Sequence, residues 1–391
     1  MSPFDLLGAG NLLDVAPVSA AEYAEIEDSC RDLFGTEHSP VVFQGEATVA
    51  LEAVARGLGR PGGRALNLVT GPYGSTFGGW LSEAGTEVED IVTPFDRAVA
   101  PDEVEQALDR FGPVDLVSVV HAEAATGVVN DLEAISAVAR SRGALVVVDA
   151  VASVGAEPLA IDKWQLDAVV LSTQKALAGP SGASVIALSP QAWAALSQHP
   201  SPWRGSALSL LDWRDRWVLT GRSVLPVIPS HLETRALGAA AGRALSEGLE
   251  GIVARHRAAA AATRAALAPL GLHPWVGQPD EAASVASVVR APTEGASTLV
   301  RACVAGWHDG TVPITTAPGS LAEQAFRVNH TGRRANLAVV LSAVGALATG
   351  LRALGYRPDA GAALAAAADT WNSTIGAPFI PGDAALRSRA L

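Results

Sequence analysis

Cysteine is scarce in this chain. Cys30 and Cys303 are the only two in 391 residues, and neither sits in a metal-type spacing. That excludes a disulfide framework, gives no support to a zinc site, and predicts reduced thiols in a cytoplasmic protein. Basic charge is also short, with 28 Lys and Arg against 40 Asp and Glu, a formal net charge of -12. Nucleic acid and anionic membrane both demand clustered cations, so neither is expected as a partner, although small anions could bind locally. No apolar run reaches about 18 residues, and the start "MSPFDLLGAG" lacks a basic leader region, so no membrane span or secretion signal is expected. Internal repeats and low-complexity linkers are missing too. What is present is 49% apolar residues, 17% charged ones and 38 glycines, the composition of an Ala-rich α/β enzyme acting on small molecules.

Short β-branched runs alternate with helical patterns through the first 230 or so residues, which predicts a parallel sheet with helices on its faces. The expected strands are "ALNLV", "TEVEDIV", "DLVSVV", "ALVVVDA", "AVVLS" and "ASVIALS". Helices are expected from Glu46 to Leu58 and through "DLEAISAVARSRG", the latter with Asp131 as N-cap and Gly143 as stop. After "SVLPVIPS" the texture changes to long Ala- and Arg-rich helices, then a strand in "SVASVVRA", a helix near 296–306, a strand "AFRVNH" and a long helix from about Arg333 to Leu354. This reads as a large domain over 1–235 and a smaller α+β domain over 236–391. The tail from Pro358, with "WNSTIGAPFIPGD", reads as a loop.

Two places concentrate chemistry. The stretch "GEATVALEA" opens a helix whose N-terminal N–H groups would welcome an anion, yet Glu46 already puts a carboxylate there. Further on, Asp149 closes an apolar strand, at the sheet edge where α/β enzymes hold ligands, and Lys175 follows the next apolar strand and precedes a Gly/Pro-rich turn. Singly, Asp149 could cap a helix and Lys175 could be a solvated loop lysine. Together they match what a pyridoxal ring requires: an acid to keep the ring nitrogen protonated and an amine to hold the aldehyde.

The chain resembles the class V aminotransferases of fold type I, the group of alanine-glyoxylate and pyridoxamine-pyruvate aminotransferases, from about Val41 to Leu354. The resemblance rests on "VDAVASVGAEPLAIDKWQLDAVVLSTQKALAGPSG", "VVHAEAATGVVNDLEAI", "NLVTGPYGSTFGGW" and "FRVNHTG". It implies an α/β fold with a mostly parallel seven-stranded sheet in the large domain. It also implies an aminotransferase moving an amino group between an amino donor and a small 2-oxo acid of the pyruvate or glyoxylate class. Lys175 would be the Schiff-base lysine and proton shuttle, Asp149 the partner of the pyridine nitrogen, Val151 the floor and Tyr73 the stacking aromatic. Arg327 would grip the substrate carboxylate, while Glu46, Ala47, Thr48, Gln174 and Thr126 occupy the remaining cofactor positions. The cofactor implied is pyridoxal 5'-phosphate, and the assembly a homodimer.

The phosphate cup departs from the family. Glu46 and Ala47 replace a small Ser-Gly turn, and Leu225 and Ile228 stand where a neighbouring subunit normally supplies Tyr and Thr. Thr48 and Gln174 remain as donors. The pyridoxamine-pyruvate type also carries "GE", and there the carboxylate suits unphosphorylated pyridoxamine or pyridoxal. Ala124 replaces a hydroxyl residue, Ala317 replaces an arginine of that type, and "GAGNLL" is the remnant of a substrate-side segment. A lyase or decarboxylase on the same fold, or a non-catalytic homologue, are the alternatives, because fold alone does not fix the bond broken.

Overall fold

The computed structural model describes residues 15–305 and 312–375. "GAGNLL" and the end of the tail beyond Ile375 lie outside the described residues. The chain runs α1 (Ala20–Phe34), β1 (Pro40–Gln44), α2 (Ala47–Leu58), β2 (Arg64–Val69), α3 (Pro72–Glu83), β3 (Glu87–Val92), α4 (Pro101–Phe111) and β4 (Leu116–Val120). A small hairpin, β5 (Ala122–Glu123) and β6 (Val128–Val129), precedes α5 (Leu132–Ser141), β7 (Leu145–Asp149), β8 (Ala168–Ser172) and β9 (Ala183–Leu188). Then come α6 (Pro190–Ser197), α7 (Leu210–Trp213), α8 (His231–Glu247), α9 (Leu249–Ala265), β10 (Ser287–Arg290), α10 (Ala296–Val304), β11 (Ile314–Thr316), β12 (Ala325–Val328), α11 (Leu337–Ala353) and α12 (Ala360–Ile375).

The main sheet has seven strands in the order β1-β9-β8-β7-β4-β2-β3. Only β9 runs against its neighbours. Strands β4, β8 and β9 are buried along their whole length, because helices cover both faces, and that is why they read as unbroken apolar runs. From β2 the chain winds outward to β3, then returns to β4 on the other side of β2. This reversal opens a crevice at the carboxyl ends of β2 and β4, where open α/β sheets bind ligands.

Six strands fall where the sequence predicts them; β1 is the seventh and was not foreseen. It is a short edge strand whose outward backbone at Val42 is satisfied by side chains of α1, one of them held by Trp217 beyond α7. Tyr23 donates its hydroxyl to Val42 O at 2.5 Å, Glu27 accepts from Val42 N–H at 3.2 Å, and Trp217 Nε1 donates to the other Glu27 oxygen at 2.7 Å. Burial pushes Glu27 up to about 7.

Leu237, Ala241, Ala244 and Ile252 belong to the core around this sheet, whereas Ala259, Leu299, Phe326, Val340 and Leu347 form a second core. The expected division at 235/236 therefore falls inside α8, and we place the changeover within α9. The second core lies against a three-stranded antiparallel sheet, β10-β12-β11. The tail is not a loop up to Ile375: Ala363 and Ala367, one helical turn apart, bury α12 in the second core.

Candidate active site

Five strand ends deliver the site. Beyond β1, Glu46 is the N-cap of α2: one carboxylate oxygen accepts Thr48 N–H at 2.7 Å together with the Thr48 hydroxyl, and the other accepts the Gln174 amide. Burial works against its charge. The bonds from Thr48 and Gln174, with Lys175 nearby, prevail and hold Glu46 below the usual carboxylate range. Beyond β2, α3 presents Tyr73 with 43% of its surface exposed at the mouth of the crevice. Beyond β4, the turn into the small hairpin brings Ala122 and Ala124 to the same opening.

Asp149 ends β7 and accepts Val151 N–H at 2.9 Å. Desolvation is the dominant influence on it and lifts it to about 6, against the pull of the Val151 N–H and the Lys175 ammonium. Lys175, beyond β8, places Nζ 5.8 Å from the centroid of the Tyr73 ring. The chain contains one other lysine, Lys163, which pairs with Glu133 at 3.1 Å on the surface. The Lys175 loop is backed by the turn after β12. Gly332 there has φ +63, and a Cβ would come within 3.0 Å of the Lys175 carbonyl, so glycine is required both by conformation and by contact.

These groups line a pocket that opens to solvent, with about 330 Å³ of space counted out through its mouth. Glu46, Ala47, Thr48, Tyr73, Asp149, Val151 and Lys175 all line it, together with Leu51, Val120 and Ala152. Arg327, on β12, approaches from the second sheet and donates from Nη1 to Ala124 O at 3.3 Å, while its Nε is buried without a protein partner. Gln174 likewise keeps a buried Oε1 unpaired. Thr126 is the exception among the expected ligands. Its hydroxyl donates to Thr70 O at 3.0 Å and accepts from Val128 N–H at 3.4 Å, so it closes the hairpin instead of lining the pocket. Ile228 is 88% exposed, Leu225 packs on the first core, and neither lines the pocket within one chain. Ala317 is buried in a separate apolar cluster and offers no charge.

One group escaped the sequence reading. Glu123, between the pocket residues Ala122 and Ala124, is fully buried and accepts N–H bonds from Tyr73 at 3.2 Å and Ala125 at 3.3 Å. Burial, then the neighbouring Asp149 charge, pushes it up to about 7. The available signal was a single acid inside the apolar run "VVHAEAATGVV".

A pyridoxal ring fits this arrangement. Tyr73, Val151, Asp149 and Lys175, an aromatic, an aliphatic, an acid and an amine, line one pocket, and among the described residues Arg327 Nε has no partner. The phosphate fits less well, since Thr48 and Gln174 already give their donors to Glu46.

The pKa of Asp149 carries a testable sign. The unfolded carboxyl releases its proton near 3.8 and the folded one near 6, so its contribution to stability falls as pH rises between those values. Asp149→Asn is expected to stabilise the ligand-free protein above about pH 7, by about 1–3 kcal/mol after screening through the pocket mouth, and to change little near pH 4. Thermal melts at the two pH values check it; equal melting points above neutrality would refute the assignment.

Comparison with known proteins agrees with this geometry. The family model described as aminotransferase class-V matches residues 12–296. The chain is 30% identical over 361 residues to a pyridoxamine–pyruvate transaminase of Mesorhizobium japonicum, covering 92% of this chain and 91% of that one. It is 27% identical to an L-aspartate–glyoxylate aminotransferase of Paracoccus denitrificans, covering 88% and 85% respectively. The crystal structure of pyridoxamine-pyruvate aminotransferase from Mesorhizobium loti superposes with a TM-score of 0.86 at 29% identity, over 95% of this chain and 94% of that one. The lysine, the acid and the aromatic cover thus stand in a chain that belongs to the class-V aminotransferases, pyridoxal phosphate-dependent enzymes of fold type I.

Proposed function

We propose that this aminotransferase takes the unphosphorylated B6 amine, pyridoxamine, as its amino donor and a small 2-oxo acid of the pyruvate or glyoxylate class as acceptor. Pyridoxal and the amino acid are the products. The observation that carries this reading is the self-satisfied turn at Glu46. A phosphate at the start of α2 would meet a carboxylate held ionised, and donors already committed to that carboxylate. A hydroxymethyl group, by contrast, can donate to it. The relative named for pyridoxamine and pyruvate is consistent with the same reading.

Lys175 takes the proton from the carbon bearing the transferred nitrogen and returns it to the acceptor's α-carbon, the role suited to an amine beside an acid and an aromatic face. The bound ring supplies the electron sink that makes this proton removable. Asp149 keeps the proton on the ring nitrogen, and binding of that cation offsets the carboxylate's own desolvation. Tyr73 and Val151 hold the ring between them and exclude water from its faces. Arg327, oriented by Ala124 O, donates a two-pronged pair of N–H bonds to the carboxylate of the 2-oxo acid.

A homodimer belongs to this proposal. Leu219, Val224, Ile228 and Leu232 are exposed apolar residues along one segment, and a second copy covering them would bring Leu225 and Ile228 toward its partner's pocket. Cys30 and Cys303 are free and buried, which suits the cytoplasm. Among the described residues no helix is long and apolar enough to cross a membrane.

The test is steady-state turnover of pyruvate and glyoxylate with pyridoxamine or pyridoxamine 5'-phosphate as donor. Turnover of the free amine is expected to exceed that of the phosphate. A preparation that carries tightly bound pyridoxal phosphate and ignores free pyridoxamine, while transaminating amino acids, would replace this reading with that of an ordinary amino-acid transaminase.

A further inference from the structure

Glu123 has no part in the chemistry above, yet it is a fully buried acid flanked by pocket residues, and among the described residues no cation is hydrogen-bonded to it. An arrangement that bears the cost of burying a carboxylate requires a reason. The reason lies in how α3 begins. Gly71, the residue before the helix, has no side chain to cap it, and Pro72 has no N–H. The first free N–H of the helix is that of Tyr73, and it is donated to Glu123, fifty residues away in sequence. The approach is close: a Cβ at Gly71 would lie 2.3 to 2.7 Å from Glu123 side-chain atoms, so only glycine lets the helix start settle onto the carboxylate. The other Glu123 oxygen is fixed by Ala125 N–H in the turn of the small hairpin. Tyr73 is itself 43% exposed, so the position of its ring depends on this backbone anchor more than on side-chain packing.

We propose that Glu123 is a positioning residue: as a cap supplied from a distant strand, it fixes the start of α3 and thereby sets the Tyr73 ring over the space between Asp149 and Lys175. A carboxyl oxygen there accepts the N–H that the helix start leaves free, whether or not the acid is ionised. The proposal rests on the reading of Tyr73 as the cover of the B6 ring, but the anchoring itself can be measured without any ligand.

The experiment compares Glu123→Ala, which removes both acceptor oxygens, with the wild type in the full chain. In ligand-free protein, hydrogen exchange at the Tyr73 amide is expected to accelerate by about tenfold or more, while amides in the middle of α3, around Phe77, keep their protection. Pyridoxal binding, followed by absorbance, is expected to weaken by about tenfold, and this loss should vanish in a Tyr73→Ala background; a general structural role would leave it intact. KM for pyruvate, which Arg327 governs, is expected to stay constant while kcat falls. Should Glu123→Ala fail to fold, Gly71→Ala serves instead, because it pushes the helix start off the carboxylate and predicts the same changes. Unaltered Tyr73 exchange in the variant that folds would overturn the proposal, as would a binding loss that persists without the Tyr73 ring. If wild-type protein does not bind pyridoxal, the donor assignment fails, and the exchange measurement still decides the anchoring.

Discussion

Lys175→Ala is expected to lower transamination by roughly 10⁴-fold, since one amine serves both to hold the ring and to carry the proton. Lys163 cannot substitute for it. It sits outside the pocket, paired with Glu133 at 3.1 Å. Borohydride reduction of ligand-loaded wild-type protein should therefore label one peptide, that containing Lys175, and the alanine variant should take up no label. The scarcity of lysine makes the readout clean, with only Lys163 and the N-terminus as competing amines. Retention of more than about a tenth of wild-type turnover, beyond what general-base loss permits, would remove Lys175 from the mechanism. So would a label on Lys163.

The second large effect concerns selectivity. Glu46→Ser is expected to raise affinity for pyridoxal phosphate relative to pyridoxal by about 100- to 1000-fold, because it removes a like charge and frees the Thr48 and Gln174 donors together. Serine also caps helices well, so α2 should lose only a few tenths of a kcal/mol. Because Glu46 is held below the ordinary carboxylate range, it stays ionised through neutral pH, and the wild-type preference should be flat there. Absorbance titrations with both ligands measure the ratio. An unchanged ratio in the serine variant would mean that Glu46 merely caps its helix, and that the phosphate, when present, sits elsewhere.

Much of this site was legible in the sequence because its residues stand at the ends of unmistakable strands. The apolar runs before Asp149 and Lys175 could only be buried parallel strands, and such strands deliver their C-terminal residues to one edge. The short strand Pro40–Gln44 was not legible, since it opens on proline, lasts five residues and depends on α1 for its outer hydrogen bonds. Helix Ala360–Ile375 was missed for a similar reason: its buried positions are alanines, and only packing against α9 and α11 reveals which face is inward. The small hairpin explains two further misses. Its tight turn withdraws Thr126 to serve Thr70 and buries Glu123, and neither event leaves a mark in composition or periodicity.

The clamp on the first strand has a consequence for handling the protein. A sheet offers unsatisfied backbone only at its two margins. At one margin, β3 carries Glu87, Glu89 and Asp90, charges that discourage any neighbouring chain from adding a strand. At the other, the protection is borrowed entirely from Tyr23, Glu27 and Trp217. Trimming the amino terminus past α1 would leave "PVVFQ" as a bare, uncharged template for edge-to-edge self-association, next to the turn that shapes the ligand pocket. The first helix is thus a guard against aggregation.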